Sequence, residues 1–491
     1  MAWSFSDSFD CYATTADLIN TGYWDNGGVI GGSSLLIAGR FAGSQALHWQ
    51  NAGSSVTKTS GVNDAVHHFV FAFRQTNPVT GTTLGAYFQL FDGTTAQCSV
   101  VFRSDGAILL TSGGPGGTVL ATYSGAFPLV NTWYAFEVEV VVSNSAGWMK
   151  VRKNGNPTED FTSSLTLDTQ VSANAYANKL QFGMNTAFPH EFDDLYWRSD
   201  ASSVAWMGDI RAIARAPASD ASVQFSRTPS TVSVSQISTP STTASKAANA
   251  GTMSAFVASY TGTISSGTIS VATGGTGNMK AAIYDATRSN PLATSNAVVN
   301  PVTGSNVITF GTPLAVTRGT TYYLAVDQDT TIVYNVTGSS ANQGTFTTTY
   351  ASFPAINPTV TVSGSGVVGT VNIGPSFNYE TVNEAQQDAT TSYVYDSVPG
   401  HADLYGIAAI ASTPLTTFAV TTRAYMIKSD AGTRTAAVQL KSGATTDASP
   451  TVVLTPSNWQ WAWKHYTSDP DGGAWTAAAV NVAQVGPTVI A

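Results

Sequence analysis

At 491 residues the chain is too long for one ordinary hydrophobic core, so several domains are expected. Only 10% of its residues are charged, against roughly 25% in typical soluble proteins, and 21 Lys and Arg against 30 Asp and Glu leave a net charge of -9. That balance argues against a nucleic-acid partner, which needs clustered cations, and 43% apolar with 11% aromatic residues argues against disorder.

The opening MAWSFSDSFDCYATTADL has neither a basic n-region nor an apolar h-region, and no apolar run in the chain is long enough to span a bilayer. A protein made in a cytoplasm, without a signal peptide and without membrane insertion, is expected. Cys11 and Cys98 are far apart and lie in no CxxC or Cys/His cluster, which predicts two buried free thiols, with a disulfide left open.

Residues 1–203 read as short alternating strands separated by Gly, Asn and Asp turns, the pattern of an antiparallel sandwich. Phe69, Phe71 and Phe73 alternate with Val70, Ala72 and Arg74, so one face of that strand is aromatic and must be buried. Tyr87 to Phe91 leads to Asp92-Gly93, the strand around Ser99 to Arg103 leads to Asp105-Gly106, and Trp148 to Lys153 leads to Asn154-Gly155, all hairpin punctuation. Between Trp133 and Val142, the residues Tyr134, Phe136, Val138, Val140 and Val142 share one side, and Glu137 and Glu139 are predicted to face solvent on the other. A strand core at Ile210, Ala212 and Ala214 is predicted to end at Pro217.

The W-Y-x-φ-E-V-E-V strand, the K-N-G turn and the strand with Phe192-Asp193-Asp194-Leu195-Tyr196, in that order, resemble the concanavalin A/laminin-G type of jelly roll. More narrowly, FSDSFDCYAT, EFDDLYW, GDIRA and the closing DPDGGAWTAAAVN resemble a group of tailed-bacteriophage virion structural proteins. In that group the segment after GD-[IV]-R runs directly into N-Y-E-x-V-x-E, which stands here only at Asn378. The departure implies an insertion. The division expected is therefore a jelly roll over 1–203, a second β-sandwich split between 204–231 and 375–491, and an inserted accessory sandwich over 232–374.

The insert opens with the Ser/Thr/Ala-rich SVSQISTPSTTASKAANAG, read as an extended arm. Met279, Ala281 and Ile283, then Tyr322, Leu324 and Val326, each line one strand face, and KAAIYD, NPLATS and VTRGTTYYLAV are similar to small jelly rolls of surface and carbohydrate-binding proteins. In the last segment, 418–428 reads as a strand whose antiparallel partner is Thr435 to Lys441, and a short helix is expected within 474–484. The whole is predicted to be all-β, a set of antiparallel sandwiches.

Glu191 and Asp193 are the most enzyme-like pair, because strand periodicity puts them on one face with Cα atoms about 6.6–6.8 Å apart. Retaining glycosidases need carboxyl groups roughly 5–5.5 Å apart, so spacing leaves the possibility open. The enzymes built on related jelly rolls carry a third acid in E-x-D-x-x-E or E-x-D-x-E, whereas Leu195, Tyr196 and Trp197 follow here, and catalysis is disfavoured. His67 and His68 should point to opposite faces and cannot share a metal. No cofactor is expected, although the acidic turns at Asp92, Asp105 and Asp469 leave calcium as an alternative to their ordinary turn-forming role. Trp459, Trp461 and Trp463 recur at period two and form either a sugar platform or, the favoured reading, apolar surface covered by a core or a neighbouring subunit.

The resemblance implies a non-enzymatic structural component of a tailed-phage virion, made in the host cytoplasm and released by lysis. A tail fibre or tail-tip attachment protein is favoured; a capsid decoration or head spike is the near alternative, and a glycan-binding module or depolymerase the remaining ones. Expected partners are other virion proteins, further copies of the chain in a homo-oligomer such as a trimer, and host cell-surface polysaccharide.

Overall fold

Phe69, Phe71 and Phe73 lie on the central strand Val66–Gln75, and the N-terminal part of the chain is assembled around it as two facing antiparallel sheets. The computed structural model describes residues 3–15, 17–18, 22–27, 35–77, 80–203, 205–235, 242–339, 343–356, 365–384, 388, 391–410 and 416–491. The chain divides into two compact units: Met1–Gln224 with Glu384–Ala389 and Asp396–Ala491, and Phe225–Asn383 with Thr390–Tyr395.

In the first unit an eight-stranded sheet runs Phe161–Thr162, Trp148–Lys153, Tyr134–Val141, Val66–Gln75, His190–Asp200, Gln45–Trp49, Leu35–Ala38, with Trp3–Asp7 also pairing to His190–Asp200. A seven-stranded sheet faces it in the order Val119–Tyr123, Ala107–Ser112, Thr95–Arg103, Leu84–Asp92, Ala177–Met184, Ser55–Asp64, Asn26–Gly27. Phe73 stacks on Phe102 at 4.6 Å and Phe88 on Phe182 at 4.8 Å between ring centroids, so the interior between the sheets is largely aromatic. Each such ring removes about 150–250 Å² from water, which is how a chain with so few charges still drives a large sandwich to fold. The punctuation seen in sequence is realised: Asp92-Gly93 and Asp105-Gly106 close hairpins, and Asn154 and Gly155 both take positive φ, 55° and 71°.

The C-terminal part of this unit adds a six-stranded sheet, Pro217–Ser222, Leu404–Ile407, Gln484–Val489, Arg434–Ser442, Thr445–Ala448, with Val452–Leu454 also on Arg434–Ser442. It also adds a two-stranded ribbon, Val420–Met426 with Gln460–Tyr466. Two expectations are corrected here. The strand Val420–Met426 does not pair with Arg434–Ser442; its partner is the tryptophan-bearing strand, so the turn after Lys428 joins two sheets rather than a hairpin. Residues 205–216 are not a strand either, and Pro217 begins a strand instead of ending one, at the first position, where a missing ladder donor costs least. The helix expected near the end is shorter than its window, Ala477–Val482, capped by the Thr476 hydroxyl accepting from the Ala479 amide.

The second unit has its own two sheets and core. One sheet runs Val232–Ser235, Gly369–Pro375, Gly262–Thr273, Ile332–Ser339, Thr242–Lys246, and the other Pro291–Thr294, Asn278–Tyr284, Thr321–Gln328, Ala250–Val257, Gln343–Thr347. Met279, Ala281, Ile283, Leu324 and Val326 are buried between them, as their alternation predicts. Ala282, Tyr284 and Ala325, on the opposite face, are buried too, because Phe353 and Ile356 pack over them.

Candidate functional site

The outer face of the eight-stranded sheet carries most of the buried charge of the first unit. Glu137 and Glu139, expected in solvent, are 2% and 1% exposed. The cover is the irregular segment 205–216, which crosses this face as a strap. Its backbone amides find carboxylates instead of a strand partner: Met207 and Gly208 donate to Glu137 at 2.5 and 2.9 Å, and Ala212 donates to Asp194 at 2.7 Å. Ser203 donates its hydroxyl to Glu139 at 2.5 Å, and Arg40 pairs with Asp209. Trp206 lies edge-on to His68 and under the Arg152 guanidinium, 4.6 Å from the ring centroid. Alternation alone reads an outward glutamate as solvated; only the path of the following segment reveals its cover. Replacing Glu137 with alanine should therefore loosen the strap by about 1–3 kcal/mol, read as faster hydrogen exchange at the Met207 and Gly208 amides while Phe71 and Phe136 amides stay protected.

Glu191 and Asp193 do share this outer face, but each is engaged separately. Glu191 accepts from Arg74 Nε and lies 3.2 Å from His48 Nδ1. Arg74 in turn stacks over Trp133, with Cζ 4.6 Å from the ring centroid. Asp193 accepts from the amides of Arg40 and Asp194, both at 2.8 Å, and from the Ser44 hydroxyl at 3.2 Å. A β-bulge follows, with Asp194 at φ 56°, and it turns a second consecutive acid outward while Leu195 and Trp197 return to the core. Burial pushes both aspartates above the usual carboxylate range, Asp194 further because Asp193 lies beside it, against an Arg40 guanidinium 3.8 Å away.

The three tryptophans separate in environment. Trp461 and Trp463 sit in or against the aromatic core of the first unit: Trp463 meets Tyr23 at 5.1 Å and Phe5 at 6.3 Å, and Lys58 Nζ lies 4.3 Å from its ring centroid. Trp459 precedes the strand and stacks, half-buried, on Tyr425 at 4.9 Å. The ribbon that carries them brings in Arg423, which sequence reading missed. Its guanidinium stacks on Tyr23 at 4.0 Å, donates to Cys11 Sγ at 3.0 Å and lies 3.6 Å from buried Asp7. Cys11 is half-buried rather than buried, Cys98 is fully buried in the core, and both thiols are free and pushed up to about 12 by burial.

His67 and His68 point to opposite faces as expected. His67 is within the core, accepting from Trp197 Nε1 at 3.3 Å, and His68 Nε2 is 2.9 Å from Glu137. Asp92 accepts from Ser172 and Asn174, Asp105 pairs with Arg103, and Asp469 accepts from the Asp471 amide, all turn-stabilising contacts. Among the described residues no three His, Cys, Asp or Glu side chains are placed to hold one metal ion.

No family model and no curated protein matches the chain. Solved structures with local likeness include a botulinum neurotoxin serotype D binding domain, 10% identical over 41% of this chain, with a TM-score of 0.29. The chain spans 48% of that protein's length. A carbohydrate esterase of the Shiga toxin-encoding bacteriophage phi24B is 13% identical over 35% of this chain and 88% of its own, at 0.26. Arcelin-5, a lectin-like defense protein of Phaseolus vulgaris, is 12% identical over 41% and 99%, at 0.27. Scores this low carry no argument about activity; what stands is the architecture described above, an all-β chain of antiparallel sandwiches.

Proposed function

We propose that the chain is a non-enzymatic structural protein of a tailed-phage particle, an attachment component of the tail fibre or tail tip. The observation that carries the non-enzymatic part is the engagement of Glu191 and Asp193. One is held by Arg74 and His48, the other by two backbone amides and a hydroxyl, so both serve as structural acceptors instead of an acid and a base facing a common substrate. The virion part rests on the ordered motifs, FSDSFDCYAT through DPDGGAWTAAAVN. Immunogold labelling of purified particles tests it: label on the tail supports the reading, label on the head moves the protein to decoration or spike, and absence from particles defeats it. Glu191→Gln is expected to leave release of sugars from host glycans unchanged from background, and a loss of such release would restore the depolymerase reading.

A further inference from the structure

The register of the eight-stranded sheet sets five chemically different side chains in one line across its outer face. Tyr134 pairs with Phe73, which places Trp133 beside Arg74; Arg74 pairs with Glu191, Glu191 with His48, and His48 with Leu35. Phe73, Phe192 and Leu47, the neighbours of these residues along their strands, are fully buried in the core, so alternation directs the line outward. Four strand intervals of about 4.8 Å make it roughly 19 Å long.

The strap's hydrogen bonds to the sheet fall clear of this line. Its anchors at Glu137, Glu139 and Asp194 lie three or more positions along their strands from Trp133 and Glu191. Along the line the side chains of Arg74 and His48 are 25% and 15% exposed and Leu35 is 50% exposed, while Glu191 between Arg74 and His48 is buried at 4%. Arg74 uses Nε for Glu191 and His48 uses Nδ1, so among the described residues the Arg74 Nη groups and His48 Nε2 have no hydrogen-bond partner.

We propose that this line is a binding row for a neutral saccharide chain, which rests on the attachment reading and names the class of receptor. The charges of Arg74 and Glu191 cancel within the row, so a polyanion gains no net attraction. An apolar protein surface would desolvate Arg74 and His48 without satisfying them. Sugar hydroxyls can accept from the Arg74 Nη groups and meet His48 Nε2, which Glu191 holds in place from beneath, and the C–H face of a pyranose suits the half-buried indole of Trp133 and the exposed Leu35 at either end.

The test is binding of the full chain to a microarray of bacterial surface polysaccharides, neutral and uronate-containing sets side by side, followed by calorimetry on the best neutral oligosaccharide. Neutral glycans are expected to bind, with affinity falling at least tenfold in Trp133→Ala and severalfold in His48→Gln, retained largely in Trp133→Phe, and unchanged in Trp459→Ala. Matching urea midpoints establish that the variants are folded. Binding only to uronate polymers, binding indifferent to Trp133→Ala and His48→Gln, or no glycan binding beside capture of a protein receptor would each overturn the proposal. Particle labelling without glycan binding sinks this inference and leaves the virion reading standing; glycan binding by a protein absent from particles does the reverse.

Discussion

Replacing Asp7 with alanine is expected to destabilise the first unit by about 3–5 kcal/mol, the usual cost of stranding one partner of a buried ion pair. Asp7 is 1% exposed and accepts from the Phe9 amide at 3.0 Å, Tyr12 Oη at 2.7 Å and Trp24 Nε1 at 2.9 Å, with Arg423 Nη2 at 3.6 Å. Removing the carboxylate orphans three donors and leaves a guanidinium in an apolar cage of Tyr12, Tyr23 and Trp461. The double variant Asp7→Ala with Arg423→Met should recover part of the loss, because the uncompensated charge is then gone. Urea midpoints of the two singles and the double decide the matter; a loss below about 1 kcal/mol in Asp7→Ala would mean that this cluster is incidental to stability.

The second large effect is acid lability. Burial lowers His67 to about 4 and His190 to about 3, and both imidazoles are held neutral inside the sandwich, where His190 Nδ1 accepts the Ala86 amide at 3.1 Å. The unfolded chain takes up these protons near pH 6.5 and the folded one does not, so the histidines' contribution is full above about 6.5 and falls as pH drops toward the folded values. From pH 6.5 to 5 the two together should remove about 3 kcal/mol. Asp193 and Asp194 have the opposite sign: their folded values are raised, the native state holds the extra protons, and their contribution is lost as pH rises. Stability should therefore peak in mildly acid solution, with Asp194→Asn flattening the alkaline limb only. In the double variant Asp193→Asn with Asp194→Asn, where the opposing titrations are gone, a urea midpoint that does not fall between pH 7 and 5 would exclude neutral core histidines.

Strand alternation was legible wherever one face was purely apolar, as in Phe69 to Phe73 or Met279 to Ile283, because burial there follows from residue type alone. It failed at Glu137 and Glu139, whose burial depends on a strap more than sixty residues further on, and at 210–214, whose alternating pattern serves that strap and not a sheet. The tryptophan stripe was legible as a stripe, but not its partner strand, since Val420–Met426 and Arg434–Ser442 carry equally good alternation and only long-range packing chooses between them. The Trp133, Arg74, Glu191, His48 row was beyond the sequence for the same reason: its members come from three strands and the residue preceding a fourth, and meet only once register is known.

Trp461 and Trp463, near the end of the chain, complete an interior begun by Phe5, Tyr12 and Trp24. On the ribosome the first two hundred residues must then wait, with part of their aromatic surface open, until the last ribbon emerges. A fragment ending at residue 203 is expected to be recovered in aggregates, and a separately supplied 396–491 piece to rescue its solubility only if present while it folds.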